Sequence, residues 1–376
     1  MKQKLIFADG GYSKFLEHLQ GLGCKRALLV HGSSMLGMEI GRTLLSLPEL
    51  LGIDVMEFTA FAPNPDIDSA LAGARLCRRE QCDLIIACGG GSAMDVAKCI
   101  RLFTEADTSR EDWLAHLPEG KLPFIAVPTT AGTGSEATHF AVVYREGKKL
   151  SIAEDSNIPW AVLMDEKVLS GLPGRHKRAA FFDALCHAIE SLWSVNATQE
   201  SRIYAREALR LLLAAEPIYL SEKCTMAGNM SMLLAAHYAG RAINISKTTA
   251  AHAMCYGLTS KLGLPHGQAA LLCLLELWPY MAEKAGGDGD SRGLFQDIAE
   301  AMGERENAGA MARLRELAVK YGMTGPLGQK TSGSLIGELS GSVNTERLQN
   351  HPMKLEKADF AELYRRILKN IAEERE

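Results

Sequence analysis

The sequence predicts two halves of different class, an α/β half with a parallel sheet over residues 1–170 and an all-α half over residues 171–376. Three observations carry this. Short apolar strand-like runs alternate with helical runs between Arg26 and Val127. Two of those strands empty into loops of small residues, Gly89-Gly90-Gly91-Ser92 and the stretch Pro128 to Thr138. From Gly171-Leu172-Pro173-Gly174 onward the alternation stops and only helical spacing continues.

Composition sets the outer limits. With 376 residues, 47% hydrophobic and 23% charged, the chain is long enough for two ordinary globular domains. A net charge of −4 and the lack of any long Lys/Arg block give no electrostatic support for a nucleic-acid or membrane-surface partner. The start, MKQKLIFADGG, mixes charge into too short an apolar stretch for a signal peptide. The longest apolar run, Ala269 to Trp278, is also short and carries Glu276, so the expectation is a cytoplasmic protein. Nine cysteines without a CxxC pair fit reduced, buried thiols.

In chain order, Arg26 to Val30 reads as a strand that ends in His31-Gly32-Ser33-Ser34, with helical spacing from Met35 to Leu47. Asp54 to Phe61 is a second strand. Ala62-Pro63-Asn64-Pro65 then turns the chain into a helix from Ile67, with Asp66 as its N-cap. Asp83 to Cys88 is a third strand, running through the glycines into a helix from Ala93 to Phe103, and Pro123 to Val127 is a fourth. Backbone N–H groups at such a glycine loop, with the partial positive charge of the helix start, suit a pyrophosphate; a tight strand-to-helix turn is the plainer use of the same glycines. Thr129, Thr130, Thr133, Ser135 and Thr138 offer hydroxyls at the same sheet edge, where turn chemistry accounts equally well for any one of them. Asp95 falls in the first turn of the helix after the glycines, where it satisfies the helix dipole or orients cofactor groups. Lys148 and Lys149 lie in a hairpin, YREGKKLSI, as a solvated tip or with one lysine turned to a cofactor.

The second half reads as helices over 178–194, 199–214, 225–243, 248–260, 266–284, 291–302, 307–322, 332–340 and 357–373, with a loop at Gly286-Gly287-Asp288-Gly289. Asp183 and His187, four residues apart, share one face of the first of these. Alone, they also fit the polar residues of a core helix. Ala184, Leu185, Ala188, Ile189 and Leu192 run beside them, so that face is partly buried and its acid needs a partner. His252 and His266 bracket the break Gly263-Leu264-Pro265. One carboxylate and three imidazoles can surround a divalent first-row metal and leave a position free for a substrate oxygen.

GGGSAMDVAK at 89–98, PTTAGTGSEAT at 128–138, FDALCHAIE at 182–190 and the His252 to His266 stretch HAMCYGLTSKLGLPHG together resemble the iron-containing (group III) alcohol dehydrogenase family, in order and over most of the chain. The resemblance implies a Rossmann-like nucleotide-binding domain, a helical domain, a metal in the cleft between them, and NAD(P)-dependent interconversion of an alcohol and an aldehyde or ketone by a homodimer. Residue by residue, it implies metal ligation by Asp183, His187, His252 and His266, and phosphate binding by Gly90, Gly91 and Ser92. It also places Thr129, Thr130 and Thr138 along the cofactor, Asn64 near the adenosine side and Lys149 near the nicotinamide ribose. The ligand set accepts Fe(II) or Zn(II), and the family favours Fe(II).

Two departures from the family pattern matter. Where many members carry an Asp after the first strand, this chain has Gly32, Ser33 and Ser34; loss of that carboxylate leaves room for a 2′-phosphate, so NADP(H) is expected over NAD(H). Tyr256 stands where many members carry a His that passes the proton, and it is read either as the relay or as a packing residue. The segments ISKTTAAHAMCYGLTSKLGLPHG, EATHFAVVY and SLWSVNAT most resemble the phosphonoacetaldehyde reductase branch, which forms 2-hydroxyethylphosphonate. Lys247, Arg241 and Arg347 are the candidate cations for such a substrate, each also readable as a solvated surface charge. A general short-chain alcohol dehydrogenase, a sugar-phosphate cyclase-like lyase without net NADPH consumption, and a non-catalytic sensor are the alternatives.

Overall fold

In the computed structural model, residues 3–8, 10–285, 289–324 and 333–373 are described. The chain divides into two compact units, Met1–Leu172 and Pro173–Glu376. The first contains β1 (Lys4–Phe7), β2 (Arg26–His31), β3 (Asp54–Phe58), β4 (Leu84–Gly89), β5 (Phe124–Pro128), β6 (Phe140–Arg145), β7 (Lys148–Ala153) and β8 (Ala161–Met164). Six of these form one all-parallel sheet in the order β1-β8-β5-β4-β2-β3, and β6 and β7 form the expected antiparallel hairpin. Every residue of β4, LIIACG, is buried, as parallel strands covered on both faces require. The chain leaves β2 toward β3 and later returns to the other side of β2 as β4. At such a reversal the carboxyl ends of the two strands open a crevice, and both the Gly32-Ser33-Ser34 loop and the glycine loop emerge there.

Several elements differ from expectation. The helix read over Met35 to Leu47 is instead a 3₁₀ turn Ser33–Gly37 followed by two short helices, Glu39–Leu45 and Leu47–Leu51. Gly41 lies so close to the first turn that a Cβ there would stand 2.1 Å from the Met35 carbonyl oxygen, and Pro48 opens the second short helix. The second strand stops at Phe58 rather than Phe61, while the Asp66 carboxylate caps its helix as expected, accepting the Asp68 N–H at 2.9 Å. The helix after the glycines begins at Gly91, which moves Asp95 out of the first turn.

In the second unit the helices are Gly174–Trp193, Gln199–Tyr219, Met226–Ser246, Ala250–Leu262, His266–Lys284, Gly289–Ala301, Asn307–Lys320, Gly333–Gly341, Thr345–Leu348 and Lys357–Glu373. The four-residue helix at Thr345 was not expected. The loop read at Gly286-Gly287-Asp288 and the helix start read at Ser332 lie outside the described residues. At the Gly263-Leu264-Pro265 break, Gly263 takes the left-handed conformation, φ 67°, and closes the preceding helix by donating its N–H to the Thr259 carbonyl at 3.1 Å. Trp193 and Trp278 pack edge to face, 6.0 Å between centroids, and tie the Gly174–Trp193 helix to the His266–Lys284 helix. No helix among the described residues is long and apolar enough to cross a membrane.

Candidate functional site

The second unit brings the distant polar residues of the sequence together. Asp183 and His187 stand on successive turns of the Gly174–Trp193 helix, His252 is the third residue of the Ala250–Leu262 helix, and His266 is the first residue of the helix that follows the break. Asp183, His187 and His252 are buried, and each offers a ligand atom within 4.8 Å of the others. The His187 and His252 rings stack at 4.4 Å between centroids. His266 lies outside that tight trio and is about one third exposed, but its Nε2 is 3.7 Å from Asp183 Oδ1 and its ring centroid is 5.5 Å from that of His252. Gly267 makes this approach possible: a Cβ there would fall 2.0 Å from the Ala179 carbonyl oxygen and 2.8 Å from the Asp183 Cβ.

A second carboxylate organises the cluster. Glu190, wholly buried, receives the Nδ1 side of His252, and its Oε1 accepts the backbone N–H groups of Thr249 at 3.0 Å and Ala251 at 3.1 Å and the Thr249 hydroxyl at 2.5 Å. It is at once the cap of the Ala250–Leu262 helix and the group that fixes the His252 ring, leaving Nε2 directed at Asp183 Oδ1, 3.4 Å away. Burial alone would raise the Asp183 carboxyl, but the imidazoles of His187, His266 and His252 outweigh it and hold it well below the carboxylate range. Burial pushes His187 down to about 4 against the pull of Asp183, with the charges of His252 and Arg347 acting in the same sense as burial. For His252 burial is overcome by Glu190 and Asp183, which push it up to about 9.

These residues fit a divalent cation. With Nδ1 engaged by Glu190, His252 Nε2 faces an Asp183 carboxylate oxygen across 3.4 Å, a gap that either a proton on Nε2 or a cation held between the two can bridge. Among the described residues His187 Nδ1 is a buried polar atom without a hydrogen-bond partner. One carboxylate oxygen and imidazole nitrogens form the donor set that Fe(II) and Zn(II) both accept.

In the first unit the two small-residue loops lie against each other. The Thr129 N–H donates to the Gly89 carbonyl at 2.9 Å, and Cβ atoms at Gly90 and Gly91 would stand 3.1 Å from Thr130 and Thr133, so the glycines serve loop packing as well as access to the helix start. Gly90 is the N-cap of the Gly91–Glu105 helix and has no side chain to close it. Gly32 is extended, and Ser33 and Ser34 are exposed at the end of β2. Asn64 is exposed with φ 57°, a left-handed conformation Asn tolerates. Lys149 is half-buried with its charge close enough to act on Asp95, whereas Lys148 is exposed.

Two of the candidate residues, Asp95 and Thr138, belong to one network around Lys98. The fully buried Lys98 ammonium donates to the Ser135 carbonyl (2.6 Å), the Ser135 hydroxyl (3.0 Å), the Thr138 hydroxyl (3.1 Å) and the Phe140 carbonyl (2.7 Å). Asp95 accepts from the Ser135 hydroxyl at 2.8 Å. Asp95 therefore belongs to a buried bolt that clamps the loop and the hairpin to the helix, and the Thr138 hydroxyl is taken up in the same network. Sequence reading missed Lys98, because a single buried lysine leaves no periodic signal, and it gave Glu190 no role of its own.

Tyr256 stacks on His266, 5.6 Å between centroids at 28°, and the Arg347 guanidinium lies 5.3 Å from the centroid of the same Tyr256 ring, with its Nη1 donating to the Thr248 hydroxyl. Arg241 is engaged elsewhere, over the Tyr204 ring at 4.1 Å and 3.9 Å from Glu200. Lys247 is exposed, with φ 60° and ψ 171°, a conformation that strains any side-chain-bearing residue.

Comparison with known proteins finds matches in both units of the chain. Residues 2–166 match the model of iron-containing alcohol dehydrogenase, and residues 179–368 match that of the C-terminal part of the Fe-containing alcohol dehydrogenase family. The chain is 36% identical over 238 residues to phosphonoacetaldehyde reductase of Streptomyces viridochromogenes, a match spanning 60% of each chain. It is 32% identical over 306 residues to 1,3-propanediol dehydrogenase of Klebsiella pneumoniae, spanning 80% of this chain and 77% of that one. Among solved structures, sulfoacetaldehyde reductase from Bifidobacterium kashiwanohense in complex with NAD+ superposes with a TM-score of 0.84 at 27% identity over 97% of both chains.

Proposed function

The chain belongs to the iron-containing alcohol dehydrogenase family, and from that premise we propose that it is a metal-dependent NAD(P)H oxidoreductase interconverting an aldehyde and a primary alcohol by hydride transfer. The observation that carries the reading is the buried Asp183, His187 and His252 cluster, with His266 at its open side. Asp183, His187, His252 and His266 would hold Fe(II), or Zn(II) through the same donors. When bound, the cation supplies Lewis acidity to a carbonyl oxygen and the nicotinamide supplies the hydride.

The chain's own residues do the rest. Asp183 contributes the negative charge, Glu190 fixes the His252 tautomer, and the exposed side of His266 leaves substrate access. Gly90, Gly91 and Ser92 present the helix start to a pyrophosphate, with Thr129 and Thr130 beside them, Asn64 toward the adenosine and Lys149 toward the nicotinamide ribose. Gly32, Ser33 and Ser34, without a carboxylate at the end of β2, support NADP(H) over NAD(H). The substrate we favour is phosphonoacetaldehyde, reduced to 2-hydroxyethylphosphonate, supported by the likeness to the Streptomyces reductase. The working form proposed is a cytoplasmic homodimer, on the family resemblance alone.

The test is anaerobic purification with metal analysis, then NADPH and NADH oxidation against phosphonoacetaldehyde and short aliphatic aldehydes. Stoichiometric metal and aldehyde-dependent NADPH oxidation are expected. A preparation that binds metal yet oxidises neither nucleotide with any aldehyde defeats the reading, and a clear kcat/KM preference for NADH defeats the cofactor assignment.

A further inference from the structure

We propose that Arg347 selects for an oxyanion-bearing aldehyde, gripping a phosphonate or sulfonate group while the carbonyl end lies at the cluster of Asp183, His187, His252 and His266; this rests on the aldehyde reductase reading above. The position of the guanidinium is the first support. It lies 5.3 Å from the centre of the Tyr256 ring, and that ring also stacks on His266, so the cation and a candidate ligand side chain share one aromatic neighbour.

The second support is its lack of an acid. Among the described residues Arg347 forms no ion pair with a carboxylate; its Nη1 is spent on the buried Thr248 hydroxyl. A guanidinium carries five N–H donors, so a two-pronged edge remains for an oxyanion. The segment is also held in place before any substrate arrives. The Arg347 N–H donates to Asn344 Oδ1 at 3.3 Å, the Asn344 N–H to the Ala253 carbonyl at 3.4 Å, and the Asn350 amide to the Thr248 carbonyl at 3.1 Å. Such anchoring reduces the ordering cost of binding.

Competing anion holders are already engaged or solvent-exposed. The amides at the start of the Ala250–Leu262 helix donate to Glu190, which removes that helix start as an anion site. Arg241 is held by Tyr204 and Glu200, and Lys247 is exposed.

The experiment compares the metal-loaded wild type with Arg347→Met and Arg347→Lys, using NADPH oxidation with phosphonoacetaldehyde, sulfoacetaldehyde and propanal. Thermal shift with 2-hydroxyethylphosphonate against 1-propanol gives a readout independent of turnover. In Arg347→Met the ratio of kcat/KM for the anionic aldehyde to that for propanal should fall at least about tenfold, the lower end for loss of a charge-assisted hydrogen bond, chiefly through KM. The thermal shift by 2-hydroxyethylphosphonate should vanish with it. The oxyanion whose KM rises more is the one the fork reads. Arg347→Lys, which keeps the charge without the fork, should lose less, and it carries the comparison if the Met variant fails to fold; an unchanged ratio overturns the proposal in either variant. A wild type that favours propanal overturns it too, while leaving the aldehyde reductase reading in place. A wild type that oxidises NADPH with none of the three aldehydes overturns both.

Discussion

Asp183 has no substitute at the residue scale, because among the described residues it is the one carboxylate that His252 and His266 both approach. Asp183→Asn keeps the shape and removes the charge, and metal content measured after dialysis should fall to background. Glu190→Gln should be milder: loss of a hydrogen-bonding partner of a ligand typically costs about 10–100-fold in metal affinity, which a chelator competition would read. Tyr256→Phe preserves the stack on His266, so a packing role predicts kcat within about threefold of wild type, far less than the ~10²-fold lower bound for general acid–base catalysis. A larger loss in kcat with KM unchanged would return the phenol to proton transfer. What sequence could read at this scale was residue type and spacing, which is why the four candidate ligands were legible. It could not read that one oxygen of Glu190 gathers several donors across a gap of about 60 positions, since no local pattern marks such a partner.

Between whole elements, the close pass of the helices at Gly267 decides whether His266 reaches Asp183. A methyl group there meets the Ala179 carbonyl, so Gly267→Ala should cost roughly 1–3 kcal/mol in a denaturant melt, as overpacking does, and lower metal retention together with stability. The Lys98 bolt supplies a pH test. Burial pushes its ammonium down to about 8 against the pull of Asp95 and Glu136, while in the unfolded chain it titrates near 10.5. Between those values the unfolded chain holds the proton and the folded one does not, so wild-type stability gains with rising pH from this group, and the strain is fully present below about 8. Urea melts should show wild type gaining stability relative to Lys98→Met from pH 8 to 10; parallel curves would place the titration elsewhere. Long helices such as His266–Lys284 were legible from periodicity. β1 and β8 were not, because four residues each are too few to show a period, and they are recognised only as partners of the sheet. The helix read from Met35 failed because its pattern ignored the collision of Gly41 with the preceding turn.

Across the whole molecule, the candidate ligands all come from Pro173–Glu376 and the candidate cofactor loops all from Met1–Leu172. Chelation should therefore loosen amide protection in the second unit and added NADPH should tighten it in the first, each by about 2.7 kcal/mol when the ligand stands at a hundredfold its Kd. Hydrogen exchange of the metal-loaded protein, before and after each addition, reads this directly, and uniform change over both units would contradict it. The fold class was legible because strand and helix alternate in one half only, a property of the whole sequence rather than of any motif. Glu190 has one more consequence. As a helix cap and the support of His252 it answers to folding and to chemistry together, whereas the partly exposed His266 ring answers mainly to chemistry. In a library of random variants, a screen for soluble protein and a screen for turnover should therefore discard the same clones at position 190 and part company at position 266.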